Sequence, residues 1–432
     1  MKKVILFMLL MSSIMFVAFS QLSEIYRYGD SIVKISIMFI LVFSLIIISR
    51  YFLLLLLSML NLIKHAKYPK QRDTSHSKMV SIIVPCYNEE LVLLSSLKSL
   101  MDQTYKNYEI LVIDDGSNDK TYKIAKSMEF TEQNKRLVAY TKSNSGKANS
   151  LNFGIEKAKG ELILTVDADS KLSSTSVELM VEYFNDPRVG AVAGSVYVTN
   201  QNTLWSKLQA LEYIQGLNLV RNGQAYLKLV NIIPGPIGMF RKSAILEVGG
   251  YQTDTFAEDC ELTLNLINQK YKIDYEIDAV SYTEAPEELT DLLKQRYRWT
   301  RGILQSIIKH QDRLWKVHKN FSMSLVMWYM LFEAILWPFA FVFANFFMLY
   351  VALSSGYNET FLYWWLIFTV LDLSASLYCV SVTKESIKLI LYSFYYRIFF
   401  INIINVAKIL ATIEEFRGVK MGWGKLERKG RI

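Results

Sequence analysis

Long apolar segments flank a more polar middle region along this chain, and the pattern predicts membrane helices on both sides of one globular domain. Apolar runs cover residues 4–20, 32–63 and most of 321–412, whereas residues 65–320 have the mixed composition of a soluble domain. A helix needs about 20 apolar residues to cross a bilayer, and the run at 32–63 is longer than that. The middle region is large enough to bury one sizeable core.

Short apolar segments alternate with helical patterns in the first half of the middle region. The predicted strands are 80–84, 108–113, 136–140 and 161–166. The predicted helices between them are 91–101, 118–128 and a segment that begins at 145–150. Strands that alternate with helices indicate a largely parallel sheet with helices on both faces. In such sheets, ligands bind beyond the carboxyl ends of the strands.

The second half of the middle region is less regular. Residues 189–198 form either one long strand or a strand pair, and residues 204–229 have the apolar spacing of a helix. A glycine–proline turn at 234–240 leads into a further strand and allows the backbone to approach another group closely. The last helical pattern, at 291–310, is basic with an apolar stripe and precedes an apolar run, which predicts a helix at the membrane interface.

Basic residues cluster beside the apolar runs rather than in one stripe. The net charge is +8, and the clusters lie at 64–72, 309–319 and 417–431. This distribution follows the positive-inside pattern and favours anionic lipid headgroups, so nucleic-acid binding is not expected. The cysteines have neither paired nor metal-binding spacing, which fits a reduced cytosolic domain. They are Cys86, Cys260 and Cys379.

The N-terminal run at 4–20 has two interpretations. It follows Lys2 and Lys3 and is either a retained membrane helix or a cleavable signal peptide. A retained helix is preferred because a second apolar run follows at once. Arg50 interrupts that second run and is expected to snorkel to the membrane interface.

Three apolar runs that carry polar residues follow the middle region. They lie at 321–353, 361–382 and 389–412. Ionisable side chains in membrane runs are costly and usually face a protein interior or a cavity, and we expect this of Glu333 and Asp372. One of the three runs is expected to lie in the interface, so that the basic tail remains cytosolic.

Three polar motifs follow the predicted strands. Asp167 and Asp169 come after the strand at 161–166, and period-two alternation would place both carboxylates on one face, where they suit a hard divalent cation. Asp114 and Lys147 follow other strands, where a carboxylate can accept a base N–H and a lysine can meet a phosphate. Taken alone, these residues also fit an acidic turn, a helix cap and a solvated lysine. Together they predict a nucleotide-diphosphate pocket without a P-loop or a dinucleotide fingerprint.

The full set of motifs resembles, in order, that of the processive family 2 glycosyltransferases, the membrane synthases of cellulose, chitin, hyaluronan and poly-N-acetylglucosamine. The resemblance covers about residues 80–305 and the arrangement of membrane helices. Gln295…Arg298-Trp299 is the most specific motif because it marks the polymerising members. Chain length, leading helices and the short basic tail look most like the bacterial poly-N-acetylglucosamine synthases of biofilms. The other motifs are Pro85…Tyr87-Asn88-Glu89, Asp114-Asp115-Gly116-Ser117, Gly146-Lys147-Ala148, Asp167-Ala168-Asp169 and Glu258-Asp259.

The resemblance implies an α/β, Rossmann-like GT-A domain inserted between N-terminal and C-terminal transmembrane helices. The implied location is the plasma membrane, multi-pass, with the catalytic domain in the cytoplasm. The implied divisions are two transmembrane helices at 1–66, the GT-A domain with its interfacial helix at 67–310, transmembrane or interfacial helices at 311–413 and a basic cytosolic tail at 414–432.

The resemblance also implies roles for individual residues. Asp259 would be the general base, and Gln295, Arg298 and Trp299 would complete the catalytic set. Mg²⁺ or Mn²⁺ would be held by Asp167 and Asp169. Residues on the acceptor side would be Gly235, Glu258 and Trp299. The nucleotide-sugar would be bound by Pro85, Tyr87, Glu89, Asp114, Asp115, Lys147 and Asp167. One departure loosens the subfamily assignment, because the family often has Thr or Gly where this chain has Ala257.

One base and one cation are consistent with a single displacement that inverts the anomeric centre. The resemblance implies that the reaction makes a β-linked polysaccharide from a UDP-sugar, with UDP-N-acetylglucosamine and poly-β-1,6-N-acetylglucosamine preferred, and passes it across the membrane. Alternatives are a cellulose-, hyaluronan- or chitin-type synthase, and a non-processive enzyme that moves one sugar to a lipid phosphate. A transporter or sensor with a soluble insert is the non-enzymatic alternative. Expected partners are the UDP-sugar, the growing polysaccharide and the bilayer; the need for a small accessory membrane protein is left open.

Overall fold

The computed structural model describes residues 20, 22–27, 29–67, 77–132, 134–355, 358–383, 385–419 and 430, without the side chains of 355 and 358–361. Nearly all of the apolar run predicted as a membrane helix at 4–20, and the basic tail beyond 419, lie outside these residues.

A long apolar helix precedes an α/β domain in the described chain. The helix is α1 (Ser31–Lys67). The first half of the domain consists of β1 (Val80–Cys86), α2 (Leu93–Met101), β2 (Tyr108–Asp114), α3 (Thr121–Ser127), β3 (Phe130–Thr131), β4 (Lys135–Thr141), α4 (Lys147–Lys157), β5 (Leu162–Thr165) and β6 (Ser170–Leu172). The predicted strands and helices of this half are confirmed, with ends that move by one to three residues.

The second half of the domain carries longer helices. Its elements are α5 (Ser176–Val181), β7 (Val189–Val198), α6 (Leu204–Glu212), α7 (Val220–Tyr226), β8 (Gly238–Arg241), α8 (Lys242–Glu247), α9 (Glu258–Asn268), β9 (Lys272–Thr283) and α10 (Leu289–Lys309). Residues 189–198 form one strand rather than a pair. The helix predicted at 204–229 is confirmed, but a π-helical segment, Tyr213–Leu219, joins α6 to α7.

The strands form one mixed sheet in the order β3-β4-β2-β1-β5-β8-β7-β9-β6. Strands β4, β2, β1 and β5 are parallel, as predicted. Strand β8 runs antiparallel to both β5 and β7, and β3 and β6 are also antiparallel to their neighbours. Strand β7 pairs parallel with β9, so the predicted parallel arrangement holds for β4, β2, β1 and β5 and for this pair, whereas β3, β6 and β8 depart from it. A strand that is buried on both faces has the same apolar pattern in either direction, so the sequence does not encode its orientation.

Two apolar cores lie on the two faces of the sheet. Ile82 of β1 packs into the core that contains Leu97 of α2, whereas the next residue, Ile83, packs into the core that contains Leu151 and Ile155 of α4. Successive side chains of a strand point to opposite faces, so this division follows directly from the strand geometry. The sheet therefore has helices on both faces, as predicted.

The C-terminal part of the described chain consists of helices, of which the one at Trp337–Ser355 packs along α1. They are α11 (Phe321–Leu331), α12 (Trp337–Ser355), α13 (Asn358–Thr383), α14 (Ser393–Tyr395) and α15 (Ile401–Phe416). The helices at Ser31–Lys67, Phe321–Ser354, Leu362–Thr383 and Ile387–Phe416 are long and apolar enough to cross a membrane. Three of these four follow the α/β domain, and which of them spans or lies in the interface stays a prediction.

Ion pairs join the apolar helices internally. The Arg397 Nε atom lies 2.6 Å from the Asp372 Oδ2 atom, and the Asp372 side chain is fully buried, as predicted for ionisable groups in these runs. The Arg50 Nε atom lies 2.6 Å from the Glu333 Oε1 atom. The prediction that Arg50 snorkels is therefore wrong: a carboxylate on a neighbouring helix satisfies it within the bundle.

Candidate active site

A cavity of about 260 Å³ opens beyond the carboxyl end of β5, between the sheet and helices α9 and α10. Asp167, Asp169, Asp259 and Trp299 line it, although they come from three different parts of the chain. The other lining residues that the sequence singles out are Lys147, Gly235, Glu258, Gln295 and Arg298. The structure thus brings most of the predicted site residues together around one space.

Asp167 and Asp169 lie in a turn rather than on an extended strand. Strand β5 ends at Thr165, and the Ser170 amide donates to the Asp167 carbonyl oxygen at 3.0 Å. The prediction that strand alternation aligns the two carboxylates is therefore wrong. The turn nevertheless directs both side chains to the cavity. Asp169 is buried, whereas the Asp167 side chain is 26% exposed.

Lys147 forms an ion pair with the first of these aspartates. It begins α4 directly after Gly146, whose φ of +92° favours glycine. Its Nζ atom lies 2.5 Å from Asp167 Oδ1 and 3.4 Å from Glu258 Oε1. Burial alone would lower the pKa of Lys147, but the attraction of Asp167 and Glu258 outweighs it and raises that pKa. The ammonium group therefore stays charged beside any anion that enters the cavity.

Gly235 makes this ion pair possible. A Cβ atom at Gly235 would lie 2.8 Å from both the Asp167 Oδ2 atom and the Lys147 Nζ atom. Both distances are shorter than van der Waals contact. The predicted close approach of the backbone at this turn is therefore confirmed, and the group approached is the Lys147–Asp167 pair.

Asp259 lies in the first turn of α9, next to Glu258. The Cys260 amide donates to its Oδ1 atom at 2.8 Å. Burial, together with the neighbouring negative charge of Glu258, raises the pKa of Asp259 to about 6. A carboxylate with such a pKa is ionised at neutral pH and more basic than an exposed aspartate, which suits proton abstraction.

Helix α10 supplies the opposite wall of the cavity. Gln295, Arg298 and Trp299 all line it. Arg296, which the sequence analysis did not single out, supports two of them: its Nη1 atom donates to Gln295 Oε1 at 2.5 Å, and its guanidinium lies 4.3 Å from the centre of the Trp299 ring. Arg296 itself is fixed by an ion pair with Glu212 of α6. The packed face of α10 therefore orients the residues on its cavity face.

Four predicted nucleotide-side residues lie outside the cavity lining, at the ends of β1 and β2. They are Tyr87, Glu89, Asp114 and Asp115. Asp114 accepts a hydrogen bond from the Thr141 hydroxyl at 2.7 Å. Asp115 pairs with Lys142 and accepts the Ser145 and Gly146 amides at 3.0 and 2.8 Å, so it fixes the turn before Lys147. Pro85 lines a small space that adjoins the cavity and shares Lys147 and Asp167 with it.

The carboxylates fit a hard divalent cation only in part. Asp167 and Asp169 line the same space, but the described residues contain no group of three or more His, Cys, Asp or Glu side chains arranged to hold a metal. Mg²⁺ commonly takes one or two carboxylates and completes its shell with phosphate oxygens and water. The residues therefore fit a cation that enters with a diphosphate.

The sequence analysis also missed residues of the cavity wall formed by the segment at 213–221. Tyr213, Leu217 and Arg221 line the cavity at successive intervals of four residues. Four-residue spacing is a helical signal, but it does not indicate which side of a helix faces a ligand.

Known proteins resemble this chain in sequence and in fold. Residues 81–249 match the glycosyl transferase family 2. The chain is 31% identical over 261 residues to the poly-beta-1,6-N-acetyl-D-glucosamine synthase of Staphylococcus aureus strain COL. It is 32% identical over 257 residues to the synthase of Staphylococcus epidermidis. These alignments cover 60% and 59% of this chain, and 62% and 61% of the relatives' length.

A solved structure supports the fold assignment. A mannosyltransferase from Pyrobaculum calidifontis, in complex with GDP-Man and Mn²⁺, superposes with a TM-score of 0.61 at 19% identity. The superposition covers 90% of this chain and 100% of the mannosyltransferase chain. The predicted Rossmann-like α/β fold is therefore confirmed.

Proposed function

Because residues 81–249 match the glycosyl transferase family 2 and the chain resembles the staphylococcal synthases, we propose that it is a processive, inverting membrane synthase of that family, which polymerises a β-linked polysaccharide from a UDP-sugar. UDP-N-acetylglucosamine and poly-β-1,6-N-acetylglucosamine are the preferred donor and product, after the staphylococcal relatives. The observation that carries the proposal is the convergence of Asp167, Asp169, Asp259 and the Gln295…Arg298-Trp299 motif around one cavity.

The donor diphosphate lies between Lys147 and Arg298 in this proposal. Asp167 and Asp169 would hold Mg²⁺ or Mn²⁺, which would neutralise charge on the diphosphate. Lys147 is already held beside Asp167, so it meets the phosphates without a large movement. Asp114 and Asp115, with Pro85, Tyr87 and Glu89, are assigned to the nucleotide side. Their position at the ends of β1 and β2 agrees with ligand binding at the carboxyl ends of parallel strands.

Asp259 acts as the general base. The acceptor hydroxyl oxygen forms a bond to the anomeric carbon while the bond from that carbon to the diphosphate breaks, and the hydroxyl proton passes to the Asp259 carboxylate. One displacement inverts the anomeric centre, so an α-linked donor gives a β-linked product. Glu258 and Gly235 lie on the acceptor side in this assignment. Trp299 offers its ring to the acceptor sugar, and Gln295 lies one helical turn before it.

The apolar helices on both sides of the domain support a multi-pass membrane protein. We place the α/β domain, 67–310, in the cytoplasm, with membrane helices at 1–66 and 311–413 and the tail at 414–432 on the cytoplasmic side. The polymer then leaves through the helical bundle. A small accessory membrane protein is compatible with this arrangement.

The proposal is tested with membranes that contain the chain, given UDP-N-acetylglucosamine or UDP-glucose with Mg²⁺ or Mn²⁺. We expect long polymer from UDP-N-acetylglucosamine, lost in Asp259→Asn and retained in the control Asp254→Asn, whose side chain is 61% exposed. Polymer from UDP-glucose alone would change the product and keep the mechanism. Transfer of a single sugar to lipid would favour the non-processive alternative over processive synthesis. A product with the donor's anomeric configuration would contradict inversion.

A further inference from the structure

Arg221 is a buried cation in the cavity wall to which the proposed mechanism gives no role. It is only 7% exposed and lines the cavity that contains Asp259 and Trp299. Its Nη1 atom has no hydrogen-bonding partner, and its guanidinium has no carboxylate within ion-pair distance, among the residues that the structure describes. Burying a charged group without a partner is costly, so such a residue is expected to meet a ligand.

The local structure holds Arg221 towards the cavity. Asn222, the next residue, hydrogen-bonds to Ser58 and Asn61 of α1, with the Asn222 Nδ2 atom 2.7 Å from Ser58 Oγ. Gly223 lies close against the Leu54 carbonyl of the same helix. These contacts fix one side of α7 on α1 and leave the side of Arg221 to face inward. The π-helical segment Tyr213–Leu219 precedes it, and such segments are frequent at functional sites.

The position of Arg221 favours the acceptor over the donor diphosphate. The adjoining small space, lined by Pro85 and Lys147, shares Asp259 with the main cavity but does not reach Arg221. Arg221 therefore belongs to the wall of the main cavity, with Tyr213 and Leu217, and does not line the space beside Pro85. Asp259 and Glu284 line the same cavity as Arg221 and would repel a further anion. A neutral sugar with hydroxyl or carbonyl oxygens is not repelled by these carboxylates and can still accept hydrogen bonds from Arg221.

We infer that Arg221 is an acceptor-binding residue, whose guanidinium donates hydrogen bonds to hydroxyl or amide carbonyl oxygens of the saccharide unit beside Asp259. The inference rests on the proposed function. Tyr213 and Leu217 extend the same wall, and Trp299 lies in the facing helix. Aromatic and apolar side chains with a few convergent polar groups are typical of sites for small uncharged ligands.

Binding without turnover tests this inference. Purified protein in detergent, with UDP and Mg²⁺ present, is titrated with a β-1,6-linked N-acetylglucosamine pentasaccharide or with cellopentaose. The variants are Arg221→Met, Arg221→Lys and the control Arg188→Met, whose side chain is 71% exposed. Hydrogen bonds to a charged group correspond to about 10- to 100-fold in affinity, so we expect a loss of that order in Arg221→Met. The affinity for UDP and the behaviour of Arg188→Met should not change.

Thermal stability separates a binding role from a structural one. No described group is hydrogen-bonded to the Arg221 guanidinium, so its removal leaves no other polar group without a partner. Arg221→Met should therefore melt no lower than the wild type. Unchanged pentasaccharide affinity in this variant, binding of neither saccharide by the wild type, or a loss of UDP affinity in its place would each overturn the inference. If Arg221→Met does not fold, the saccharide affinity of Arg221→Lys tests the inference instead, because lysine keeps the positive charge but lacks the planar array of guanidinium N–H donors. Wild-type affinity in Arg221→Lys then overturns the inference.

The two proposals can fail separately. If the wild type makes no polymer but binds the pentasaccharide through Arg221, the proposed function fails and acceptor binding stands. If the wild type makes polymer and Arg221→Met makes it with an unchanged KM for the saccharide, acceptor binding by Arg221 fails and the proposed function stands.

Discussion

Gly235→Ala should strongly reduce the activity of the enzyme while leaving it folded. The added Cβ atom would lie 2.8 Å from Asp167 Oδ2, 2.8 Å from Lys147 Nζ and 3.2 Å from Asp167 Oδ1. It would therefore press on both partners of the ion pair that faces the proposed diphosphate and cation. The φ angle of Gly235 is not in the left-handed region, so alanine adds no backbone strain and its effect is confined to the site.

The expected size of the effect follows from the overlap. Crowding a packed site by one methyl group costs about 1–3 kcal/mol, which corresponds to about 5- to 150-fold in a rate or binding constant. The atoms that must move are the ends of two side chains rather than backbone, so the free energy of unfolding should fall by an amount in the lower half of that energy range. Donor binding depends on the original positions of Lys147 and Asp167, so the fall in kcat/KM for the UDP-sugar should lie towards the upper end of the fold-change range.

The assay compares kcat/KM for the UDP-sugar and the Mg²⁺ concentration that gives half-maximal rate. Gly216→Ala is the matched control, because its Cβ would meet only the Glu212 Cγ atom, at 3.9 Å. Gly216→Ala should keep the wild-type kinetics and melting temperature. If Gly235→Ala also keeps wild-type kcat/KM, the ion pair is not part of the donor site and the reasoning is refuted. A large fall in melting temperature would instead show that the turn itself is structural.

Three further predictions concern the base and the groups that hold the motifs in place. The pKa of Asp259 is raised to about 6, so its ionised, active form is lost as pH falls. Below that pH, kcat/KM should drop about tenfold per pH unit. An unchanged rate at pH 5 would exclude Asp259 as the base. Arg296→Met leaves Glu212 without its ion-pair partner and Trp299 without its stacking cation. We expect the free energy of unfolding to fall by about 3 kcal/mol and the KM for the acceptor to rise. The double variant Arg296→Met/Glu212→Gln should recover the stability but not the KM. Asp115→Asn weakens the cap on the Ser145 and Gly146 amides, so the KM for the UDP-sugar should rise, whereas an unchanged KM would separate this turn from the donor site.

The sequence identifies the parallel half of the sheet because local signals agree there. Strands β1, β2 and β4 are apolar runs that end in polar motifs, and the structure places their ends close to the predicted residues. Strand β9, in contrast, was not identified. It carries Asp274 and Glu276, which look like surface residues until the fold brings Lys228 to the first and the Tyr183 hydroxyl to the second. Such partners are distant in sequence, so no local pattern reveals them.

The same limit applies to the candidate site. Asp167 and Asp169 could be recognised because they follow an apolar strand, whereas Asp259, in the first turn of a helix, was singled out by the family resemblance. Arg221 and Arg296 could not be recognised, since an arginine in an amphipathic helix normally faces water. Only the fold shows that these two guanidinium groups are buried, through the packing of α7 on α1 and the Arg296–Glu212 ion pair between α10 and α6. The acidic residues of the cavity were therefore identified from the sequence, whereas these two arginines were not.

Helix α10 connects the candidate site to the apolar helices because its two faces have different neighbours. One face carries Gln295, Arg298 and Trp299 into the cavity. The opposite face carries Tyr297 and Arg301, whose side chains bond to Glu414 and Glu415 at the end of α15. Arg301 is also bound through its Nη2 atom to the Val419 carbonyl oxygen at 2.6 Å. A shift of α15 along its axis would therefore pull on the helix that holds Trp299. Loss of the Arg301–Glu415 pair should alter product length before it alters affinity for the UDP-sugar, because the ion pairs of Lys147 in the described chain are to Asp167 and Glu258 and not to α15.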